Sequence, residues 1–201
     1  MDSSDTYKTL AAPSEGSYSQ LRSRFLAFAY PVGSEAEATD TVKKLKNKYH
    51  DARHVAYAYQ IGEDGETWRA NDDGEPSGTA GRPIHAVLRS FELTDTLLAV
   101  VRYYGGTPLG AKNLGRAYVQ AAKDALDKAQ IKTNIITQRI SLTVPYPAVD
   151  QILRTARAAG AHTQTQYNAT DVTITIDVAR SLSEKLSQSL EKKTTAKIVK
   201  P

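Results

Sequence analysis

The sequence predicts an α+β protein with two domains, and three observations support this prediction. Stretches that alternate every second residue, as strands do, are interspersed with stretches of helical spacing along the 201 residues. The second half has the order strand, helix, strand, strand, helix, strand within about 65 residues, which is the split βαβ or ferredoxin-like pattern. Residues 132–138 lack both periodicities and are interpreted as a linker, which places the predicted domains at residues 1–133 and 139–201.

The first domain is predicted to begin with a loosely held arm, because the first twenty residues are polar and show no periodicity. Residues 24–30 are apolar and aromatic and predict a strand, which a proline and a glycine close. Ser34 and Glu37 have the spacing of a capping box, so a helix is expected to follow them. Four lysines of that helix are interpreted as a solvated face: Lys43, Lys44, Lys46 and Lys48.

The centre of the first domain is predicted to contain two more strands and a helix. Residues 54–61 alternate and predict a strand whose apolar face includes Tyr57 and Tyr59. An Asp-Gly turn and a short return strand follow. Pro83 suits the first turn of a helix. Residues 97–104 form a nearly continuous apolar run, which predicts a buried central strand.

Capping and turn residues predict the boundaries of the remaining elements. Asn113 is expected to cap a long amphipathic helix that completes the first domain. In the second domain, prolines introduce a helix that Gly160 ends, and a hairpin is expected around Asn168. Ser181 and Glu184 have capping-box spacing ahead of the last helix, and residues 196–199 are expected to form the last strand.

Composition limits the classes of protein that fit this chain. No apolar run reaches the roughly 18 residues that a membrane-spanning helix needs, and the acidic N-terminus is unlike a secretory signal. The absence of cysteine excludes a thiolate metal site and a cysteine nucleophile, and it fits a cytoplasmic location. The net charge of +4 lies in residues 134–201, with 9 Lys and Arg against 5 Asp and Glu. This asymmetry points either to nucleic acid or to an ordinary solvated surface.

Residues 72–83, N-D-D-G-E-P-S-G-T-A-G-R-P with the preceding asparagine, form the most unusual stretch of the chain and are called the first glycine segment. Its glycines permit positive φ and close backbone approach, and its prolines restrict the geometry between them. We expect a shaped loop that presents backbone N–H groups and leads into a helix N-terminus. Such a terminus favours anions, and Arg82 lies beside it. The alternative is an ordinary strand-to-helix connection.

Residues 102–118, the second glycine segment, repeat this plan of a strand end, glycines and a helix start. Arg102, Lys112 and Arg116 surround that helix start in sequence, so cations and backbone N–H groups together predict phosphate binding. The segment is not a P-loop, because such a loop needs a lysine directly after its second glycine and then a serine or threonine.

No catalytic or metal-binding constellation stands out in the sequence. Asp72, Asp73 and Glu75 form an acidic trio, and such trios more often solvate a turn than hold a hard cation. Ser77 lacks the G-x-S-x-G flanks of a hydrolase nucleophile. The four histidines lack the spacing of a zinc site, although His54 at the start of a strand is a candidate binding residue. We therefore expect no catalytic residue, no metal and no cofactor.

Aromatic residues beside the two glycine segments are candidates for stacking with bases. Tyr103 and Tyr104 lie at a strand end and are the better candidates. The alternation of residues 54–61 places Tyr57 and Tyr59 in the core instead.

Both glycine segments closely resemble the Impact/YigZ family. The resemblance is carried by D-D-G-E-P-S-G-T-A-G-R-P at 72–83 and R-Y-Y-G-G at 102–106, together with Arg24, His54 and Tyr57. It implies that residues 1–133 form a ribosomal-protein-like α/β domain similar to domain IV of elongation factor G. It also implies that the second domain is similar to the ferredoxin-like domain V of that factor.

The same resemblance implies a function in translation. Eukaryotic relatives regulate translation by competing for a partner of the amino-acid-starvation kinase, and binding of nucleic acid or ribosomes is inferred for bacterial relatives from the fold. The chain departs from the family where members usually read K-L-G-x-G-G-L. It has P-L-G-A-K-N-L, so Lys112 and Asn113 replace two glycines and Lys112 adds a cation.

The sequence thus predicts a non-catalytic cytoplasmic protein that binds RNA or the ribosome and regulates translation or a stress response. Two alternatives stay open: a module that docks a protein partner through the first glycine segment, and an enzyme of unknown class acting on a phosphorylated small molecule. No membrane association is expected, and the oligomeric state is not predicted. The predicted ligand-binding residues are Arg24, His54, Asp72, Asp73, Glu75, Ser77, Gly78, Thr79, Gly81, Arg82, Arg102, Tyr103, Tyr104, Gly105, Gly106, Lys112 and Arg116.

Overall fold

The computed structural model of the chain describes residues 5–193 and 198–199. It is a mixed α and β structure that divides into two compact units. The first unit is Tyr7–Asn134, and the second combines residues 5–6 with the described residues from Ile135 onwards. No helix in the described part of the chain has both the length and the hydropathy to cross a membrane.

The strands of the first unit are β1 (Thr6–Leu10), β2 (Ser14–Gln20), β3 (Ser23–Pro31), β4 (His54–Ile61), β5 (Thr67–Asn71), β6 (Thr96–Tyr103) and β7 (Ile131–Ile135). A five-stranded antiparallel sheet forms the centre of the unit, with the strand order β2-β3-β6-β4-β5. A separate two-stranded sheet pairs β1 with β7.

Helices cover both faces of the five-stranded sheet. Helices α2 (Gly81–Ser90) and α3 (Ala111–Asp127) pack on one face, and α1 (Glu35–Lys48) packs on the other. Because successive residues of a strand point to opposite faces, the central strands are apolar on both sides. Tyr57 and Tyr59 lie in the core beside α1, which confirms the prediction that they are buried.

The predicted cap of α1 is confirmed, and the predicted cap of α3 is wrong. Ser34 Oγ accepts a hydrogen bond from Glu37 N at 3.2 Å, and Glu37 Oε2 accepts one from Gly33 N at 2.8 Å. Helix α3, by contrast, begins directly after Gly110 and already contains Asn113. The Asn113 amide donates to the carbonyl of the preceding turn, so it bonds within the helix start and does not cap it.

The prediction of a loosely held N-terminal arm is wrong for β1 and β2, which pair with β7 and β3. Strand β2 is polar because it is an edge strand and alternates between partly buried and exposed residues. A Cβ atom on its Gly16 would lie 2.2 Å from Ala125 N, so the glycine allows α3 to pack directly on this strand. Most of the predicted linker is also ordered, since it forms the end of β7 and the start of β8 (Thr137–Val144).

The second unit contains the predicted order of strands and helices. Its elements are β8, α4 (Val149–Ala158), β9 (His162–Tyr167), β10 (Val172–Ala179), α5 (Arg180–Glu191) and β11 (Ile198–Val199). The sheet order is β11-β8-β10-β9. Strands β8 and β9 both run antiparallel to β10, which lies between them, so β10 splits the β8-α4-β9 unit. The predicted last strand lies partly outside the described residues.

The predicted hairpin around Asn168 is present, since β9 and β10 pair on either side of it. The predicted capping box at Ser181 and Glu184 is wrong, because α5 starts at Arg180 and Ser181 is inside its first turn. The Ser181 hydroxyl and backbone N–H both donate to the carboxylate of Asp5, with an N to Oδ1 distance of 2.7 Å. These two hydrogen bonds hold the pKa of Asp5 below its usual value. A residue from the start of the chain thus caps the last helix.

Candidate functional site

The candidate site lies where three neighbouring strands of the first unit carry polar or aromatic residues near their ends. The registers of β3, β6 and β4 align Phe25, Arg102 and His54 in one row across the sheet. The Arg102 guanidinium carbon lies 5.5 Å from the ring centre of Phe25 and 5.5 Å from that of Tyr104. Two aromatic faces therefore stabilise this buried cation.

Glu75, from the first glycine segment, neutralises the buried Arg102. Arg102 Nη1 donates to both Glu75 carboxylate oxygens, and the Tyr118 hydroxyl donates to Oε1 at 2.8 Å. Burial, and then the charge of Glu75, raise the pKa of Tyr118 well above its usual value. Tyr118 therefore stays protonated and remains a hydrogen-bond donor. This set of contacts joins the two glycine segments, since Glu75 belongs to one and its two partners belong to the other.

His54 presents one ring nitrogen towards the same carboxylate. Its Nδ1 lies 2.7 Å from the carbonyl oxygen of Asp73. Because a carbonyl oxygen only accepts, this contact assigns the proton to Nδ1. Nε2 lies 4.0 Å from Glu75 Oε2, which is too far for a hydrogen bond. In the neutral ring, Nε2 is thus left as a hydrogen-bond acceptor at the site.

Asp72 occupies the anion position that the sequence predicted at the N-terminus of α2. Its Oδ1 accepts from Ala80 N at 2.9 Å and Gly81 N at 2.8 Å, and its Oδ2 accepts from Gly78 N at 2.8 Å. Burial raises the pKa of Asp72, but these three backbone hydrogen bonds outweigh it and the net pKa lies below the usual value. The expectation that this terminus is open to an external anion is therefore wrong, because the protein's own carboxylate fills it.

Asp73 organises the turn that follows. Its Oδ2 accepts from Val55 N at 2.8 Å, and its Oδ1 pairs with Lys46 of α1. Asp73 and Gly74 both have positive φ, at 49° and 85°, which turns the chain sharply towards Glu75. The three carboxylates of the segment thus bind three different sets of partners. Among the described residues, no group of three or more histidine, aspartate or glutamate side chains is placed to hold a metal ion.

The second glycine segment leaves a helix N-terminus open. A Cβ atom on Gly105 would lie 2.2 Å from the carbonyl carbon of Arg22, so only glycine fits beside the turn between β2 and β3. Gly110 precedes α3 with a φ of 74°, and no side chain caps the helix. The N–H groups of the first turn of α3 therefore lack the side-chain acceptor that Asp72 provides for α2.

Both glycine segments line one pocket of about 500 Å³. Charged and polar groups come from the start of β4, from the end of β6 and from Glu75 of the first glycine segment, and apolar groups come mainly from the turn before α3. Its lining consists of Arg53, His54, Gly74, Glu75, Pro76, Arg102, Tyr104, Pro108, Leu109, Gly110, Ala111 and Leu114.

A family model described as the Impact N-terminal domain matches residues 21–126, which include both glycine segments and every residue that lines this pocket. The chain belongs to the IMPACT family. The resemblance predicted from the two glycine segments is thereby confirmed.

Two IMPACT relatives and one solved structure illustrate how far the similarity extends. IMPACT family member YvyE from Bacillus subtilis is 44% identical over 106 residues, which cover 53% of this chain and about half, 49%, of YvyE. An IMPACT family member from Thermus thermophilus is 38% identical over 146 residues, covering 73% of this chain and 78% of that protein. A crystal structure described as that of a hypothetical protein has a TM-score of 0.71 at 24% identity and covers 98% of both chains. That likeness concerns the fold alone.

Among the predicted site residues, four side chains line the pocket: His54, Glu75, Arg102 and Tyr104. Arg24 and Tyr103 lie together instead, with the Arg24 guanidinium carbon 5.8 Å from the ring centre of Tyr103. The Tyr103 hydroxyl donates to Asp51 at 2.8 Å.

The remaining predicted residues are structural, exposed, or part of another surface. Ser77 is exposed, and the Thr79 hydroxyl donates to the carbonyl of Pro76 within the turn. Gly106 has a positive φ of 84° with open space around it. Lys112 and Arg116 are exposed on the first turns of α3 outside the pocket lining, whereas Arg82 lines a separate pocket.

Three residues of the site were not singled out from the sequence. Tyr118 lies within the amphipathic helix predicted after Asn113, and a buried tyrosine hydroxyl usually needs a partner, which would suggest a polar contact in the core. Lys46 was assigned to a solvated face, but it pairs with Asp73. Arg53 lines the pocket next to His54, and no local pattern in the sequence marks it.

Proposed function

We propose that this protein binds single-stranded RNA through the pocket between its glycine segments and acts in translation without catalysing a reaction. The observation that carries this proposal is the uncapped N-terminus of α3, which opens onto the pocket beside Arg53 and Tyr104. Helix N-termini and cations attract phosphate groups, and exposed tyrosines stack with bases.

The charges around the pocket also favour an anionic ligand. The charged residues of its lining are Arg53, Arg102 and Glu75, which sum to +1 with His54 neutral. Glu75 is hydrogen-bonded to Arg102 and Tyr118, so its negative charge is already compensated. Exposed cations on the first two turns of α3 extend the positive surface beyond the lining: Lys112 and Arg116.

The proposal assigns RNA binding to the first unit, although the net positive charge of the chain lies in residues 134–201. The sheet face of the second unit opposite α4 and α5 carries mainly threonine, serine and glutamine side chains. Arg139 on that face donates two hydrogen bonds to Asp177, at 2.8 and 2.9 Å. Its charge is therefore already paired, and this face offers little to a phosphate chain.

We infer a role in translation because the family resemblance implies it and because the inferred folds agree with it. The split of β8-α4-β9 by β10 supports a ferredoxin-like fold for the predicted domain at 139–201. The helices on both faces of the first sheet are compatible with the ribosomal-protein-like domain that the resemblance implies for residues 1–133.

The test is fluorescence anisotropy with a dye-labelled single-stranded RNA of about 10 nucleotides. Binding is expected to weaken steeply between about 50 and about 200 mM salt. Arg53→Ala should weaken binding and lower the logarithmic salt slope by about 0.7 for one lost phosphate contact. Lys43→Ala is the matched control, because it removes one exposed charge from α1, on the other face of the sheet.

Two results would contradict the proposal. One is no binding to RNA or to ribosomes at low salt. The other is an equal loss in Arg53→Ala and Lys43→Ala, which would mean that only the overall charge matters.

The two alternatives stay proposals with less support. A protein partner on the first glycine segment would find the carboxylates of Asp72, Asp73 and Glu75 already bonded within the unit. Ser77→Gln changes an exposed position of that segment, so loss of a co-purifying protein with intact RNA binding would favour this reading. Turnover of a phosphorylated small molecule by the full chain would favour the enzyme.

A further inference from the structure

We propose that the first unit has a second RNA contact, separate from the pocket between the glycine segments, in which Trp68 stacks with a base and Arg82 and Arg89 bind the adjoining phosphates. This proposal rests on the proposed function in taking RNA as the ligand. It concerns residues that the first pocket does not use.

Trp68 is the only tryptophan of the chain and lies on β5, an edge strand of the five-stranded sheet. Its side chain is fixed although 54% of the residue is exposed. The indole stacks on the His85 ring with 4.3 Å between ring centres and 10° between planes. Such a flat aromatic surface, supported from one side and open to solvent, suits stacking with a nucleobase.

His85 is itself held in place beneath the indole. Its Nε2 lies 3.1 Å from the side-chain oxygen of Gln60, the cross-strand neighbour of Trp68. That oxygen only accepts, so Nε2 carries the proton and donates. Burial, and then the charge of Arg89, lower the pKa of His85, which keeps the ring neutral. A neutral, hydrogen-bonded imidazole gives the indole a rigid support.

The outer face of α2 supplies the cations. Arg82, His85 and Arg89 are separated by three and four residues and therefore lie along one side of the helix. The opposite side packs into the core through Ile84 and Leu88, both fully buried. Arg82 and Arg89 are seven positions apart, which spans about 10 Å of helix, so the two guanidinium groups can reach phosphates on either side of one stacked base.

These groups line one pocket of about 530 Å³, which also includes Gln60, Asp64, Gly65 and Ala86. Two arginines against the single carboxylate of Asp64 give the lining a charge of +1 with His85 neutral. Positive charge alone would also fit an acidic peptide. The stacked indole favours RNA, because a flat open ring matches a base and has no counterpart in a run of acidic side chains.

The experiment uses the fluorescence of Trp68, which reports on this contact without a label because no other tryptophan is present. Addition of the single-stranded RNA to the full chain should quench this fluorescence as the base stacks. Measured by anisotropy of labelled RNA, Trp68→Ala should raise Kd about five- to 150-fold, the range for one lost base–aromatic stack. Trp68→Phe keeps an aromatic ring and should lose less RNA affinity than Trp68→Ala.

Arg82→Ala and Arg89→Ala should each weaken binding and lower the salt slope, and Lys43→Ala again serves as the charge control. Circular dichroism of each variant checks that it folds. Trp68, Arg82 and Arg89 are exposed, so their substitution should leave the fold unchanged.

Three outcomes would overturn this second contact. If RNA binds and Arg53→Ala weakens it, but Trp68 fluorescence and the affinity of Trp68→Ala are unchanged, the second contact is refuted and the first pocket stands. Quenching by poly-glutamate and not by RNA would assign the surface to an acidic protein instead. Absence of any RNA binding would refute both proposals together.

Discussion

Arg102 Nη1 donates to both carboxylate oxygens of Glu75, at 2.6 and 2.9 Å, and the two side chains are only 8% and 3% exposed. This buried ion pair joins the end of β6 to the first glycine segment, and Tyr118 extends it to α3. The positions of both glycine segments, and hence the shape of the pocket, depend on these contacts. Buried pairs are costly to break singly, because the remaining charge loses its partner without regaining water.

Glu75→Leu should therefore destabilise the first unit by about 3–5 kcal/mol, since it leaves the buried Arg102 cation without its partner. Urea unfolding followed by Trp68 fluorescence measures this loss, because the only tryptophan lies in the first unit. The double variant Glu75→Leu with Arg102→Met should recover the part of the loss that comes from the unpaired charge, because it removes both charges, while the Tyr118 hydroxyl still lacks its acceptor.

The control for this pair is Asp40→Asn, which breaks the exposed ion pair between Asp40 and Lys44 on α1, in the same unit as Trp68. Exposed pairs contribute little, so its unfolding should not change measurably. A double variant as unstable as Glu75→Leu would show that packing around these side chains matters more than the unpaired charge.

Tyr118→Phe should destabilise the first unit by about 1.5–3 kcal/mol, because it removes a buried hydrogen bond to a charged acceptor and keeps the ring. The T-shaped contact of the ring with Phe25, at 5.1 Å between centres, should be preserved. The same urea unfolding applies. Tyr104→Phe, at an exposed tyrosine, is the matched control and should leave stability unchanged. Equal midpoints for the two variants would mean that the Tyr118 hydroxyl contributes nothing.

Asp72→Asn should destabilise the first unit by about 1–2 kcal/mol at neutral pH, because the amide NH2 cannot accept the bond from Gly78 N and the remaining neutral oxygen accepts those from Ala80 N and Gly81 N less well than a carboxylate. The pKa of Asp72 is lowered from 3.8, so its contribution is complete above that pH and is lost as pH falls through the folded-state pKa. The difference in the free energy of unfolding between wild type and Asp72→Asn should therefore shrink below pH 3.8.

Urea unfolding at neutral pH and in acid measures this difference. Ser34→Ala removes the neutral side-chain cap of α1, so its effect should not follow the same pH dependence. A gap between wild type and Asp72→Asn that stays constant into strong acid would refute the role of the Asp72 charge.

Hydrophobic periodicity was enough to predict the central strands, which are covered by helices on both faces of the sheet. The apolar run 97–104 became the central strand β6, and the alternation at 54–61 placed Tyr57 and Tyr59 correctly, because burial restricts which residue types fit. Strand β2 could not be predicted from periodicity, since an edge strand with a glycine under a helix needs few apolar residues. Glycines and prolines revealed where the site lies.

Contacts between residues far apart in sequence could not be predicted from local spacing. Glu75 and Tyr118 meet because the first glycine segment packs against α3. Asp72 lies nine residues before Gly81, where α2 begins, and in the sequence it looks like part of an exposed acidic turn although it caps that helix. The cap predicted at Ser181 was wrong for the same reason. The partner of Ser181 is Asp5, 176 residues away.

Asp5→Ala should loosen the first turn of α5, because Ser181 loses the acceptor of both its backbone N–H and its hydroxyl. Amide hydrogen exchange followed by mass spectrometry should show faster exchange at the start of α5, with little change in α4. The pKa of Asp5 is lowered from 3.8, so the protection it gives in wild type should also fall as pH drops below that value. Glu184→Ala is the matched control, since the capping box predicted for Glu184 does not form and exchange should not change. If Glu184→Ala accelerates exchange and Asp5→Ala does not, the helix is capped locally and the contact with Asp5 is not what holds it.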